Sequence, residues 1–328
     1  MFHSITDVTG IKVGHAQDSK AATGCTVILA EQGVVAGVDV RGGAPGTRET
    51  DLLDPVNMVQ KVHAIYLAGG SAFGIDGASG VMEFLEEKGI GFEAGTVKVP
   101  IVPGAVIFDL NVGNSTIRPD REMGYQACLN ADGKSIKEGC IGAGTGATVG
   151  KYYGISRCMK GGIGTASVQA NGLVVGALVV VNAFGDIINS ETGEILAGTL
   201  NTEKNQFIHT NRLLTNSVSI DSNLFLQNTT LGVVATNADL NKAEAKRLSM
   251  SAHDGFARCI LPSHTLYDGD IVFSLATGEI KADLNQLNAI SAQVVSVAVK
   301  RAILKASTMF GILSHTELKK KRGYNSLL

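Results

Sequence analysis

Asn228-Thr229-Thr230-Leu231-Gly232-Val233-Val234-Ala235-Thr236-Asn237 sets a small hydroxyl residue at the mouth of a continuous apolar run. Such a run, rich in β-branched residues and closed by Asn, predicts a strand over residues 231–236. Taken alone, Thr229 is an ordinary way to begin a strand. Its surroundings give it context. Residues 173–182 predict a second strong strand, ending at Asn182, and residues 270–276 a third. Residues 186–226 read as strand ends and Asn-rich polar loops, expected to be exposed or mobile in part.

Further out, residues 11–15, 25–30 and 34–40 predict short strands bounded by Gly, and residues 63–67 and 106–110 predict two more. Residues 49–61 read as a loop running into a short helix. Helical spacing fills residues 71–88, with a stop at Gly89, and residues 121–129. Residues 242–259, with Asp239 as the expected cap, predict a longer helix. Residues 283–307 predict another, whose apolar stripe runs from Leu284 and Leu287 to Ile303 and Leu304. Strands and helices come in mixed order with no regular βαβ repeat. That pattern predicts an α+β layered sandwich rather than a doubly wound sheet.

Composition narrows the function classes. A chain of 328 residues makes one large domain or two ordinary ones, and 45% hydrophobic residues supply a sizeable core. Charged residues are only 18%, so the polar surface is thin and is expected to be covered in part by partner subunits. The net charge is −2, and the basic run Lys319-Lys320-Lys321-Arg322 reads as a solvated tail. With no aromatic-rich basic stripe, nucleic acid is not an expected partner. Five scattered cysteines (Cys25, Cys128, Cys140, Cys158, Cys259) contain no C-x-x-C pair. This fits a reducing compartment and argues against a disulfide framework or a zinc site. Met1-Phe2-His3-Ser4 lacks a basic and then apolar signal region. The longest apolar run, residues 173–181, is far short of the roughly 20 residues a spanning helix needs. The expectation is a soluble, cytoplasmic protein with no membrane partner. The glycosylation sequon Asn228-Thr229-Thr230 is then expected to be unused.

Glycine is the unusual residue: 40 of 328, against an average near 7%. The glycines cluster at residues 42–43, 69–80, 139–150 and 161–164. Such clusters mark tight turns, backbone crossings or amides turned toward a ligand. The familiar glycine motifs fail. Gly70-Ser71 is no nucleophile elbow, because Phe73 stands where Gly is needed. Gly142-Ala143-Gly144-Thr145-Gly146-Ala147 has a polar approach instead of the strand that a dinucleotide fingerprint requires. Gly150-Lys151 ends like a phosphate-binding loop, but Tyr152 replaces the hydroxyl residue that would hold magnesium. The seven histidines lack metal-ligand spacing, and His253 and His264 read as structural.

The constellation that survives is distributed. Arg41-Gly42-Gly43-Ala44, Leu67-Ala68-Gly69-Gly70-Ser71-Ala72-Phe73-Gly74, Gly142-Ala143-Gly144, Gly162-Ile163-Gly164-Thr165-Ala166-Ser167, Val180-Val181-Asn182, Asn228-Thr229-Thr230 and His264-Thr265-Leu266-Tyr267-Asp268-Gly269-Asp270 come in that order. They resemble the family of L-aminopeptidase/D-amino-esterase, β-peptidyl aminopeptidase and nylon-oligomer hydrolase, from Ile5-Thr6-Asp7 to about Ile312.

The resemblance implies a four-layer αββα sandwich like that of N-terminal nucleophile hydrolases, with different connectivity. It implies one domain, residues 1–328, that cuts itself between Asn228 and Thr229 into chains 1–228 and 229–328. Thr229 would then attack amide bonds, with its freed amine as proton acceptor. Asp268 and Asp270 match a carboxylate pair of the nylon-hydrolase branch; i, i+2 spacing puts both on one face if the segment is extended. Without the resemblance they read as an Asp-Gly turn. Asn182 matches an asparagine beside the nucleophile, suited to hold an oxyanion. Lys151 matches a lysine of the same branch, with Lys160 as the competing candidate. Phe108 lacks the hydroxyl of a tyrosine that some aminopeptidase members use. The resemblance implies small peptide, amino-acid amide or ω-amino-acid oligomer substrates, no metal or organic cofactor, and a homo-tetramer or larger. The alternatives are an acyltransferase of the ornithine acetyltransferase type, or a binding relative that never matures.

Overall fold

The computed structural model describes residues 3–216 and 228–323. Residues 217–226 of the expected polar-loop stretch lie outside the described residues. The strands β1 (Lys12–Asp18), β2 (Thr23–Val40), β3 (Thr47–Arg48), β4 (Val62–Ala68), β5 (Gly104–Val106), β6 (Gly162–Ala170), β7 (Leu173–Asn182), β8 (Thr229–Ala238) and β9 (Ile271–Ile280) join in the order β6-β7-β8-β9-β2-β4-β5-β3, with β1 also on β2. Neighbours run antiparallel except β8 with β9 and β4 with β5. The helices that matter are α1 (Ala78–Glu87), α2 (Arg121–Leu129), α3 (Lys242–Ala257) and α4 (Leu284–Lys305).

β2 turns this row of strands into two facing sheets. Residues 25–29 pair with β1 and β4, and residues 35–40 pair with β9. The sequence predicts two strands here, yet the backbone stays extended throughout. A register shift between Leu29 and Val34, with Gly33 at φ 71°, bends the strand without ending it. An extra residue in a strand does this by raising its local twist.

Alternation along the strands then makes three cores. Ile28, Ile65 and Leu67 of one sheet meet Leu178, Val180, Leu231, Val233 and Phe273 of the other. Outside the second sheet, Val175, Val179, Val234 and Val272 pack on Phe256 of α3 and on Val294, Val295 and Ile303 of α4. Outside the first, Val27, Leu29 and Tyr66 pack on Val81, Phe84 and Leu85 of α1 and Ala127 of α2. Helices, sheet, sheet and helices make four layers, an αββα sandwich. Each buried Leu, Val or Phe side chain contributes about 1.5–3 kcal/mol. A one-residue slip of β8 would exchange two such faces, so the position of Thr229 is firmly set.

Several local expectations change. The cap of α3 is Asn241, not Asp239. Asn241 accepts from the Glu244 amide, and Glu244 reaches back to the Asn241 amide; this closed box needs Glu three residues after the cap. The strand expected over 106–110 is β5, and Ile107 and Phe108 leave it for the site described below. The basic run at 319–322 is solvent-exposed, as expected, but it is helical rather than a loose tail. It closes the helix His315–Lys321, with Lys321 on the Glu203 carbonyl and Arg322 stacked 4.4 Å from the Phe207 ring centroid. Helix α4 is long and apolar enough to cross a bilayer by length and composition, but its apolar face packs on the sheet as a core helix.

Candidate active site

Thr229 opens β8 directly opposite Asn182, the last residue of β7. The peptide in front of it is held on both sides. Asn228 N–H donates to the Tyr267 carbonyl at 2.8 Å, and the Asn228 carbonyl accepts the Gly269 N–H at 2.6 Å. The Thr229 hydroxyl donates to that same Asn228 oxygen at 2.5 Å. A nucleophilic hydroxyl and a polarised carbonyl therefore stand together in a buried place; Thr229 is 3% exposed. Gly269 makes this approach possible. A Cβ there would lie 2.6 Å from Thr229 Oγ and 2.7 Å from the Ala44 carbonyl.

The side chain of Asn182 joins three segments. Its Oδ1 accepts from Thr148 N–H at 3.0 Å and from Lys151 Nζ at 2.9 Å, and its Nδ2 donates to the Phe108 carbonyl at 3.2 Å. Lys151 also donates to the Asn182 carbonyl at 3.2 Å. It is fully enclosed, and burial of its charge lowers its pKa to about 7, against opposing pulls from Cys158 and then Asp268. Lys160 is equally buried but serves elsewhere. Its Nζ donates to the carbonyls of Thr145 and Ala147 at 2.9 and 2.7 Å and so ties down the glycine-rich turn. The lysine that touches Asn182 is Lys151.

Asp268 and Asp270 take different partners. Asp268 accepts from Phe184 N–H at 3.1 Å, Thr265 N–H at 3.1 Å and the Thr265 hydroxyl at 2.6 Å. Its pKa is raised to about 6, first by burial and then by the charge of Asp270. Asp270 accepts the Thr230 N–H on Oδ1 at 2.7 Å and meets His264 with Oδ2. The strand proper begins at Ile271, but Asp268 already bridges Asn228 in the parallel register of β8 and β9. Among the described residues neither carboxylate is hydrogen bonded to the Thr229 hydroxyl.

Thr229 also lines a cavity of about 230 Å³ with Ala44, Pro45, Gly46, Ser71, Ala72, Val106, Ile107 and Phe108. No charged side chain lines it. A larger cleft of about 430 Å³, near Asp39, Asp54 and Lys246, contains none of these groups. Sequence reasoning missed three contributors. The Gly269 amide is invisible to residue-type matching. His264 was read as structural. Asp109 accepts from Gly70 N–H at 2.7 Å and the Thr23 hydroxyl at 2.8 Å. A Cβ at Gly146 would lie 2.6 Å from that of Asp109, and one at Gly69 would collide with its carboxylate. Two of the glycine clusters are thus backbone crossings around one buried carboxylate. An isolated Asp within the apolar stretch 105–110 is the available signal.

The sequence profile of peptidase family S58 matches residues 3–317. The chain belongs to peptidase family S58. It is 42% identical, over 96% of its own length and 98% of the relative's, to an uncharacterized aminopeptidase of Mycobacterium tuberculosis (strain ATCC 25618 / H37Rv). It is 30% identical to the 6-aminohexanoate-oligomer endohydrolase of Kocuria sp. (strain KY2), over 84% of this chain and 75% of that one. The L-aminopeptidase D-Ala-esterase/amidase of Ochrobactrum anthropi, described as a variant of the Ntn hydrolase fold, matches with a TM-score of 0.73 and 18% identity, covering 99% and 95% of the two chains. That likeness carries the fold. As a member of family S58 the chain is a peptidase or amidase.

Proposed function

We propose that this S58 chain breaks its own Asn228–Thr229 bond and then uses Thr229 as an N-terminal nucleophile on amide bonds of small substrates. The observation that carries the reading is the Asn228 carbonyl oxygen, contacted at once by the Thr229 hydroxyl and the Gly269 N–H.

The chemistry follows from those groups. Thr229 Oγ attacks the Asn228 carbonyl carbon, and its proton passes to the neutral amine of Lys151, directly or through a water. The oxyanion develops on the atom that Gly269 already polarises. The C–N bond breaks, the Thr229 nitrogen takes a proton, and an ester joins Asn228 to Thr229 Oγ. Water cleaves that ester, leaving a carboxylate on Asn228 and a free amine on Thr229. With an ordinary pKa of about 7.7–8.0, this amine accepts the hydroxyl proton in later turnovers. Asn182 lies across from Thr229, where its amide stabilises the substrate oxyanion. Asp270 holds the strand behind the nucleophile, and Asp268 braces the loop that carries Gly269.

The cavity beside Thr229 is small and uncharged, which suits one amino-acid residue or a short alkyl segment. Peptide amides and ω-amino-acid oligomers both fit that description, in keeping with the relatives' names. Assembly as a homo-tetramer or larger belongs to the same proposal, supported by the exposed apolar side chains of Val56, Met58 and Leu266.

An active preparation should run on a denaturing gel as pieces of about 24 and 10 kDa, the shares of residues 1–228 and 229–328 in 34.1 kDa. The smaller should begin Thr229-Thr230-Leu231 on terminal sequencing. Full activity from a chain that stays whole would end the proposal. Gly269→Ala tests the carbonyl contact. Its methyl group displaces Thr229 Oγ, so self-cleavage should slow by about a hundredfold or more, as on losing an oxyanion donor. Cleavage of Gly269→Ala at the parent rate would remove this amide from the mechanism.

A further inference from the structure

Two histidines that the chemistry above does not use stand behind Asp270. His264 lies in the loop before β9 with φ at 57°, in the left-handed region that most residues avoid. This conformation turns both its backbone N–H and its ring Nδ1 onto one atom, Oδ2 of Asp270, at 3.0 and 2.9 Å. A carboxylate oxygen only accepts, so Nδ1 carries a proton and donates it to Asp270. The other ring nitrogen, Nε2, is buried and has no hydrogen-bond partner among the described residues. His253 of α3 stands against it, with ring centroids 4.8 Å apart at 75°. Nε2 of His253 donates to the Asp39 carbonyl at 3.0 Å, and its Nδ1 is likewise buried without a partner among the described residues. Phe256 packs on both rings.

Buried nitrogens without partners are uncommon and call for a compensating role. Here the compensation lies on the far side of Asp270. With Oδ2 held twice by His264, Oδ1 is directed at the Thr230 N–H, at 2.7 Å. Thr230 is the residue joined to the nucleophile. We propose that His264 is a positioning residue. It clamps Asp270 so that the carboxylate fixes the Thr230 amide and aims Thr229 Oγ at the Asn228 carbonyl, while His253 holds the His264 ring in place. The proposal rests on the reading of Thr229 as the self-cleaving nucleophile.

The test is the rate at which newly made full-length chain converts to its two pieces. His264→Gly keeps the backbone conformation and removes the ring; it should slow conversion about tenfold or more, the effect of losing a bond to a charged group. His264→Asn also tolerates positive φ, and its side-chain amide reaches Asp270; it should recover most of the lost rate. A double-mutant cycle separates positioning from packing. If His264 acts through Asp270, His264→Gly should slow an Asp270→Asn chain by no more than about twofold. Equal losses for Gly and Asn, additive losses in the cycle, or a parent-like rate for His264→Gly would each overturn the proposal. Should His264→Gly fail to fold, His264→Ser and His264→Asn make the same comparison, because only Asn spans the distance. Thr229→Ala keeps the two readings apart. If that variant still cleaves, the nucleophile is wrong; if it stays whole while the histidine variants cleave normally, only the positioning role is lost.

Discussion

Thr229→Ala is expected to accumulate as one 34.1 kDa chain with no measurable amide hydrolysis. The loss should reach about 10⁴-fold or more, as for removal of a covalent nucleophile in other hydrolases. The fold should survive the change. Among the described residues Thr229 Oγ has one hydrogen bond, to the carbonyl of the preceding residue, and its neighbours in β8 are fixed by pairing with β7 and β9. A single hydrogen bond is worth about 1 kcal/mol, small beside the burial of that strand on both faces. Thermal unfolding of the variant should therefore stay close to the parent, and Thr229→Ser should retain both cleavage and turnover. Appearance of the two pieces in Thr229→Ala, cut at the same bond, would refute the assignment.

Lys151→Met should slow self-cleavage by about 10²- to 10⁴-fold, the usual contribution of a general base. Met keeps the length of the buried stem and loses the amine. The parent rate should rise with pH through about 7, because only the neutral amine takes a proton and burial has brought its pKa to about 7. That rise should be absent in Lys151→Met. Lys151→Arg should not restore it, since a guanidinium stays charged. Stability supplies an independent check. The folded chain releases the Lys151 proton at about 7, whereas an unfolded lysine keeps it to 10.5. Between those values the unfolded state binds more protons, so this lysine makes the parent more stable as pH rises from 7 toward 10.5. Lys151→Met should lack that part of the rise. A variant that cleaves at the parent rate with the parent pH profile would exclude Lys151 as the base.

Much of the site could be read in the sequence because seven ordered motifs resemble the family; taken singly, its residues read as ordinary strand, turn and surface positions. Thr229, Asn182, Lys151, Asp268 and Asp270 were named from that resemblance, and the structure gathers all five around one strand end. Other features were not legible. Lys151 and Lys160 both sit beside glycines, and only the path of the chain shows which one reaches Asn182. His264 has no informative spacing; its importance lies in a positive φ and in a carboxylate six residues on. The role of Gly269 belongs to its backbone and to the absence of a side chain.

The sequence by itself determined the layered α+β class, the long buried strands 173–182 and 231–236, and the hydroxyl residue at the start of the second. Those follow from local apolar periodicity, which depends on near neighbours. Tertiary structure alone decided that β2 bends through Gly33 to serve two sheets, that Asp109 gathers the glycine turns, and that the Gly269 amide meets the Asn228 carbonyl. Each of these is a contact between distant segments, set by how three cores pack at once, and no local window of residues contains that information.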